Sequence, residues 1–165
     1  MLEQLASLEQ VYALCQDDPV RPHIPADQRL QPGKDVFVLR DDEANITAVI
    51  CVAYTNEVPT NERELEYFSQ AACQDGQHGD IAVAYTVWSY ARGSGREIVL
   101  RTRDWIKQNA PVTRLVTLSP LTEMAERFHI KNGATLLARH NTAQNFEYKR
   151  EAPAPESRKA ENAQD

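Results

Sequence analysis

Residues 115–134 carry the clearest local pattern in this sequence. Residues 115–118 read as a short buried strand, and Ser119-Pro120 as a sharp exit from it. An amphipathic helix follows, and its apolar residues recur at i, i+3, i+4 and i+7: Leu121, Met124, Ala125 and Phe128. Asn132-Gly133 ends this helix, because glycine adopts the left-handed conformation beyond a helix end without a Cβ clash. The segment therefore predicts a strand, a turn and a helix in succession.

Two side chains of this segment, Ser119 and His129, are candidates for chemistry. Ser119 has an alternative role as an N-cap, since Pro120 after it suits the first helical position. His129 follows the apolar face by one residue and is equally explained as a partly buried histidine with one satisfied nitrogen. No Gly-x-Ser-x-Gly turn is present, and no acidic residue is placed to complete a triad. Ser119 is therefore not predicted to be a hydrolytic nucleophile.

Length, charge and cysteine content exclude several classes of protein. A chain of 165 residues is long enough for one domain with its own apolar core. A net charge of -6 argues against nucleic-acid binding, which needs clustered Lys and Arg. The sequence contains neither a run of about 18 apolar residues nor a signal peptide, so we expect a cytoplasmic protein without a membrane contact. The cysteines are far apart and form no CxxC pair, so they predict core residues and neither a metal site nor disulfides: Cys15, Cys51 and Cys73.

The N-terminal third predicts a helix, a connector and a hairpin. Residues 2–15 have leucines at near-helical spacing, and residues 19–34 contain four prolines, which predicts an extended connector. Residues 35–40 and 46–54 are rich in β-formers and lie on either side of a turn, so they predict two hairpin strands.

The rest of the chain alternates helices and strands. Asn61 and Glu64 form a capping-box pattern that begins a helix. Four further elements are predicted in order: a strand over 81–88, a helix from the following glycine turn to Asn109, and strands over 135–139 and 145–149. The order of elements predicts a single α/β domain with a mixed sheet over residues 1–150. Residues 151–165 lack aromatic residues and predict a disordered tail.

A second candidate site is the turn Arg92-Gly93-Ser94-Gly95-Arg96, between a predicted strand and a predicted helix. Backbone N–H groups and the positive end of a helix can hold a pyrophosphate there, and small residues let it approach. The alternative is a tight turn that needs glycine for its own geometry. The pattern is neither a P-loop nor a dinucleotide fingerprint.

The sequence resembles the coenzyme A-binding core of GNAT-type acetyltransferases and, more closely, the catalytic domain of malonyl-CoA decarboxylases, which has the same fold. The glycine turn after a strand carries part of this resemblance, together with residues 52–59 and 85–87. The most specific match is the string Arg127-Phe128-His129-Ile130-Lys131-Asn132-Gly133-Ala134. The resemblance covers roughly residues 35–141 and implies a GNAT-like mixed sheet flanked by helices.

The resemblance also implies a function. The family uses a serine and a histidine for decarboxylation, and these map onto Ser119 and His129, while the turn at 92–96 maps onto the coenzyme-binding loop. It implies that a malonyl thioester of coenzyme A or an acyl carrier protein loses CO2, with no metal or cofactor beyond the coenzyme A of the substrate. This chain departs from the family by having one short N-terminal helix in place of a long helical domain. It also has nine residues between the serine and the histidine in place of a long insertion.

Two other functions stay open: acyl transfer from acetyl-CoA to an amine, and non-catalytic binding of acyl-CoA. The chemistry of decarboxylation needs donors for an enolate oxygen and a proton for carbon, and a histidine with a pKa near neutrality suits the second need. If the helix begins near Thr122, Ser119 and His129 lie about 10 Å apart or less along it. We then expect them to meet opposite ends of one acyl group without bonding each other.

Overall fold

The computed structural model describes residues 1–149, in which strands and helices alternate. The strands are β1 (Leu2–Leu5), β2 (Lys34–Arg40), β3 (Ile46–Thr55), β4 (Ile81–Ser89), β5 (Arg114–Thr117), β6 (Thr135–Arg139) and β7 (Gln144–Tyr148). The helices are α1 (Leu8–Cys15), α2 (Ala26–Arg29), α3 (Glu62–Ala72), α4 (Ser94–Asn109) and α5 (Glu123–Lys131). The predicted tail, residues 151–165, lies outside the described residues.

The strands form one seven-stranded mixed sheet in the order β1-β2-β3-β4-β5-β7-β6. Each pair of neighbours is antiparallel except β4 and β5, which run parallel because α4 connects them as a crossover. Helices cover both faces, so the central strands are buried on both sides and have the continuous apolar sequence that such burial requires. The predicted α/β class, the mixed sheet and the single domain are confirmed.

β4 and β5 separate part of the way along the sheet. Their pairing runs from Ile81 opposite Arg114 to Ala84 opposite Thr117. Leu118 N–H still donates to the Ala84 carbonyl, at 3.0 Å, but the next residue, Ser119, pairs with Gln144 instead. The outer part of β4 thus keeps β3 as its neighbour and leaves its other edge facing a gap.

A bulge in β4 lies at the point of separation. Cys51 pairs with Thr86 and Val52 with Ala84, so Tyr85 is an extra residue that has no paired residue on β3. A bulge adds local twist and bends the strand. The gap between β4 and β5 therefore begins where the sheet is irregular.

The N-terminal residues differ from the prediction of a helix over 2–15. Residues 2–5 form β1, which pairs antiparallel with β2 from Leu2 opposite Leu39 to Leu5 opposite Val36. The helix begins only at Leu8, where the Ser7 hydroxyl accepts the Gln10 N–H at 3.2 Å. Residues 2–5 form a strand despite the helical spacing of the leucines, because pairing with β2 satisfies the free backbone groups along its edge.

The proline-rich segment 19–34 is not the extended connector that its composition predicts. It contains the short helix α2 and packs on the sheet through the fully buried side chain of Arg29. Arg29 donates to Asp18 at 2.8 Å and to the carbonyls of Ile24 and Arg21. A buried cation with a buried carboxylate partner fixes this segment against β4.

Other local predictions hold. The hairpin of β2 and β3 is present, and α3 begins where Asn61 accepts the Glu64 N–H at 2.8 Å. The last two strands lie within a residue of their predicted positions. Of the cysteines predicted as core residues, Cys15 and Cys51 are buried in the core, whereas Cys73 is only partly buried. Among residues 1–149 no helix has the length and apolar character needed to cross a membrane.

Candidate functional site

A cavity of about 260 Å³ occupies the gap between β4 and β5 and is closed on one side by α5. Both residues proposed for chemistry, Ser119 and His129, line it. Most of the remaining lining is apolar and comes from β4, from the segment after β5, from α5 and from the chain before α2: Val20, Ala84, Tyr85, Val87, Trp88, Leu118, Pro120, Met124, Ala125 and Phe128.

Ser119 lies just beyond the end of β5, where its N–H and carbonyl both bond to the backbone of Gln144. The side chain is buried, and its Oγ lies 2.8 Å from Oγ1 of Thr117. Thr117 Oγ1 in turn accepts the Phe146 N–H at 3.0 Å. Strand pairing on both sides therefore holds Ser119 in place.

Ser119 is not an N-cap, so the structural alternative for this residue is wrong. Helix α5 begins three residues later than a cap at Ser119 would require, and Thr122 caps it by accepting the Ala125 N–H at 3.1 Å. Thr122 precedes Ala125 by the spacing of an ordinary cap, but Ser119-Pro120 gives the stronger sequence signal. The Ser119 hydroxyl has no part in that cap.

His129 is the buried residue of α5, with only 7% of its surface exposed. Its Nδ1 lies 2.7 Å from the Tyr148 hydroxyl, and its ring stacks on Phe146 at 5.2 Å between centroids. Burial in this aromatic setting lowers the pKa of His129 to about 4. The expectation of a pKa near neutrality is therefore wrong, and the imidazole is neutral at pH 7.

Tyr148 is a site residue that sequence reasoning missed. It lies at the end of β7 with its hydroxyl buried beside His129, and burial raises its pKa. The phenol stays protonated at neutral pH and holds Nδ1 of the ring in place. Nineteen residues separate the two side chains, and no local pattern links them.

The apolar face of the amphipathic helix α5 is largely exposed at its N-terminal end. Met124 is 74% exposed and Leu121 is 45% exposed, while Phe128 is partly buried. Met124 and Phe128 line the cavity, so this face covers the cavity and its mouth, and Phe128 also packs against the core. His129 occupies the inward position next to that face. Ser119 bonds to Thr117 and His129 to Tyr148, and both residues line the cavity without a hydrogen bond to each other.

The glycine turn leads into the first turn of α4. Gly93 is the residue before the helix and has a φ of 85°, a conformation that favours glycine. Ser94 is buried as the first helical residue, while Arg92 and Arg96 are exposed. Gly95 lines the cavity, and a Cβ there would lie 3.5 Å from the Phe128 ring. The Ser94 N–H donates to the Ala91 carbonyl at 3.1 Å, so the N–H groups of Gly95 and Arg96 are those that open beside the cavity at the start of this 16-residue helix.

Arg21 is a second site residue that the sequence did not indicate. It comes from the proline-rich segment, lines the cavity, and has a side chain that is only 5% exposed. Its Nε donates to Glu62 at 2.9 Å and its Nη1 donates to the Tyr85 carbonyl. The partners lie 41 and 64 residues away along the chain, so no sequence window contains the signal.

The remaining histidines lie away from the cavity. His23 bonds to Glu62, His78 stacks on Tyr54, and His140 bonds to Asn145. Within residues 1–149 no group of three or more His, Cys, Asp and Glu side chains could hold a metal ion.

Comparison with known proteins gives matches at the level of structure. No family model matches the chain, and no curated protein does. The GphF GNAT-like decarboxylase in complex with isobutyryl-CoA superposes with a TM-score of 0.68 at 9% identity, over 92% of this chain and 100% of that one. Malonyl-CoA decarboxylase from Rhodopseudomonas palustris gives 0.64 at 14% identity, over 90% of this chain and 59% of that one. A spermidine N-acetyltransferase chimera that includes the Vibrio cholerae enzyme gives 0.58 at 11% identity, over 91% and 95%.

These likenesses establish the fold and extend across nearly all of the described chain. They include decarboxylases and acetyltransferases alike, so the fold itself does not distinguish the two activities. The chain has a GNAT-like fold, in which a mixed seven-stranded sheet is flanked by helices in a single domain.

Proposed function

We propose that this protein decarboxylates malonyl-CoA, or a related malonyl thioester carried by an acyl carrier protein, to the acetyl thioester and CO2. One observation carries the proposal: Ser119 and His129 line a single mainly apolar cavity that no Asp or Glu side chain lines within residues 1–149. An amine acceptor enters as a cation and needs a base or a carboxylate to receive it. A malonyl group needs hydrogen-bond donors and a dry setting, and this lining offers both.

The thioester would lie along the cavity with coenzyme A at the start of α4. The pyrophosphate would meet the backbone N–H groups that follow Gly93, where the positive end of the helix favours an anion. Ser94 and Gly95 leave space for it, and the exposed cations Arg92 and Arg96 would lie beside the phosphates. Gly95 links the two ends of the site because it lines the cavity that holds Ser119 and His129.

The reaction breaks the bond between the α-carbon and the carboxyl carbon. The electron pair moves into the thioester carbonyl, CO2 leaves, and a proton from water is added to the α-carbon, so that one H⁺ is consumed for each CO2 released. The barrier falls if donors meet the enolate oxygen as its charge develops. An apolar cavity helps further because electrostatic interactions are stronger where water is excluded.

His129 would act as a neutral donor. When the Tyr148 hydroxyl donates to Nδ1, the ring carries its proton on Nε2, which can donate to the thioester oxygen. A neutral imidazole suits this role because its donor strength does not depend on titration near pH 7. Ser119 would be the second polar group on the acyl chain. When Thr117 donates to Ser119 Oγ, the Ser119 proton is free to bond the leaving carboxylate or the carbonyl.

Product analysis tests the proposal directly. The purified protein is incubated with malonyl-CoA, and separately with acetyl-CoA and a panel of amines including polyamines, and the products are followed by mass. We expect acetyl-CoA and CO2 from malonyl-CoA. Acetylated amine without decarboxylation would instead assign acyl transfer, and tight thioester binding without any product would assign a binding module.

Two substitutions test the roles of the residues. His129→Leu, which has no donor, is expected to lower turnover by about 10²–10³-fold with little change in thioester affinity, because the interaction is made mainly in the transition state. Ser119→Ala is expected to reduce the preference for malonyl over acetyl thioesters, while the cap of α5 at Thr122 stays intact. Wild-type decarboxylation by the double variant would remove both residues from the mechanism. Ser7→Ala, which removes the cap of α1 and does not line the cavity, is the control for stability effects.

A further inference from the structure

Arg21 is held in the cavity wall by a network that is built around a buried carboxylate. Asp18, whose side chain is fully buried, accepts the backbone N–H groups of Val20 and Arg21 at 2.8 and 2.9 Å. It also accepts from Arg29 at 2.8 Å and from the Thr86 hydroxyl on β4. Burial opposes ionisation of Asp18, but these hydrogen bonds more than offset it and lower its pKa. The backbone at Arg21 is therefore fixed relative to β4.

The guanidinium of Arg21 is only partly used by the protein. Its Nε–H bonds to Glu62 and one Nη1–H bonds to the carbonyl of Tyr85, the bulge residue. A guanidinium has five N–H donors. Within residues 1–149 the other three have no protein acceptor, and the guanidinium is not among the fully buried groups that lack a partner, so these donors stay accessible from the cavity that Arg21 lines. A charged donor that is accessible in a mainly apolar cavity favours an anionic ligand as its acceptor.

The charge of the cavity lining depends on this one residue. Among the lining residues no Asp, Glu or Lys occurs, and the buried imidazole of His129 is neutral at pH 7. Glu62 is paired with Arg21 from outside the cavity, where its side chain is 40% exposed to water. The one charged side chain among these lining residues is therefore a cation, which suits an anionic ligand more than a cationic one. The planar fork of a guanidinium matches a carboxylate better than any other acyl substituent.

Arg21 lines the same cavity as Ser119 and His129. It bonds to the carbonyl of Tyr85, and Leu118, next to Ser119, bonds to the carbonyl of Ala84. Two consecutive residues of β4 thus anchor the guanidinium and the serine segment. An acyl group in contact with Ser119 would extend its far end toward Arg21.

We propose that Arg21 binds the free carboxylate of the acyl group and thereby selects carboxylated acyl thioesters over plain ones. This inference rests on the proposed function for the identity of its ligand, a malonyl thioester. It assigns the choice of substrate to a residue that lies outside the pair Ser119 and His129.

Glu62 would set how strongly that carboxylate is held. A carboxylate bound too tightly in the ground state raises the barrier to its own loss, because only interactions that strengthen in the transition state accelerate a reaction. Glu62 competes for the same guanidinium and weakens its attraction for the ligand. Glu62→Gln is therefore expected to tighten binding of carboxylated thioesters and to lower turnover of malonyl-CoA.

The test separates recognition from turnover by using ligands that cannot react. The thioether S-(2-carboxyethyl)-CoA has the chain length of malonyl-CoA and cannot lose CO2, and S-(2-carbamoylethyl)-CoA is its uncharged match. We expect calorimetry to show that the wild type binds the carboxylate about 10- to 100-fold more tightly than the amide, as for a hydrogen-bonded charge pair. Arg21→Met should reduce this ratio to about one, and Arg21→Lys should keep part of it.

Arg63→Met is the matched control, since Arg63 is the neighbour of Glu62 on α3 and lines an outer groove but not the cavity. It removes the same charge and should leave the ratio unchanged. Equal affinity of the wild type for the carboxylate and the amide would overturn the proposal. An equal loss of affinity for both ligands in Arg21→Met would overturn it too. If Arg21→Met does not fold, Glu62→Gln decides. If this variant does not raise the ratio of carboxylate affinity to amide affinity, the proposed contact between Arg21 and the ligand carboxylate is contradicted. Decarboxylation by the wild type is measured separately, so failure of the function and failure of Arg21 recognition give different results.

Discussion

At the scale of single residues, the properties of His129 follow from what surrounds its ring. The side chain lies between Phe128, Phe146 and Tyr148, and this burial keeps it neutral at pH 7. The imidazolium is therefore not the resting form of His129. The hydrogen bond between Nδ1 and the Tyr148 hydroxyl determines which nitrogen of the neutral ring carries the proton. We expect activity that depends on His129 to be level between about pH 6 and 8, because its pKa of about 4 lies below that range.

The free energy of unfolding should also depend on pH because His129 is buried. The folded pKa of about 4 lies below the value of about 6.5 in an unfolded chain, so the unfolded state binds more protons between these values. The free energy of unfolding should therefore fall as the pH is lowered from 6.5 to 4, by roughly 2–3 kcal/mol from this residue. Urea unfolding at pH 7.5, 5.5 and 4.5 measures this change.

His129→Gln supplies the comparison, because it cannot take up that proton. The difference in slope between the two proteins isolates the histidine from the carboxylates that titrate in the same window. Equal pH dependence of wild type and variant would contradict a buried neutral His129.

At the scale of elements, the predictable parts are those whose signals lie within a few residues. The hairpin of β2 and β3 follows from two β-rich runs around a turn, and α3 follows from Asn61 and its cap. The N-terminal strand could not be predicted, because its partner β2 begins about 30 residues later in the chain. The same holds for the site: Ser119, His129 and the glycine turn have local or family signals, whereas Arg21 and Tyr148 join it only through tertiary contacts.

The first turn of α4 allows a test of the coenzyme site that spares the fold. Gly95→Asp puts a carboxylate where the pyrophosphate is proposed to lie, while an acidic residue in the first turn of a helix is itself favourable. The added Cβ would make only an ordinary contact with Phe128, at 3.5 Å. We expect at least about a tenfold loss of coenzyme A affinity by calorimetry, with the melting temperature nearly unchanged.

Gln108→Asp adds the same charge at the opposite end of α4 and should leave coenzyme A affinity unchanged. Undiminished affinity in Gly95→Asp would show that the turn does not hold the pyrophosphate.

At the scale of the whole molecule, the proline-rich segment is part of the domain and supplies a wall of the cavity. Arg29 and Asp18 are both fully buried and join it to β4 through Thr86. Composition alone predicts a connector here because proline removes backbone donors, but side-chain bonds to carbonyls 5 to 64 residues away replace the missing backbone pairing.

Breaking this buried pair should destabilise the domain strongly. Asp18→Asn keeps the shape of the side chain and leaves Arg29 buried without its counter-charge, which costs about 3–5 kcal/mol. Urea unfolding measures the loss, and we expect limited proteolysis within residues 19–34 to accelerate at the same time. Asp17→Asn is the control. Asp17 is the exposed neighbour of Asp18, and its carboxylate accepts a hydrogen bond from the Tyr90 hydroxyl. A loss no larger than that of the control would mean that the pair does not hold the segment.

The extra residue in β4 has a consequence for how this site tolerates change. Removing Tyr85 would restore one-to-one pairing of β3 with β4, while Thr86 would stay opposite Cys51 and Trp88 opposite Val49, on the face that they occupy now. The network at Asp18 would therefore keep the Thr86 hydroxyl, whereas Arg21 would lose the carbonyl that it bonds to. The extra residue thus adds a backbone acceptor for Arg21 without changing the face of any other side chain of β4. A one-residue deletion at this position is expected to loosen Arg21 and to leave the sheet paired.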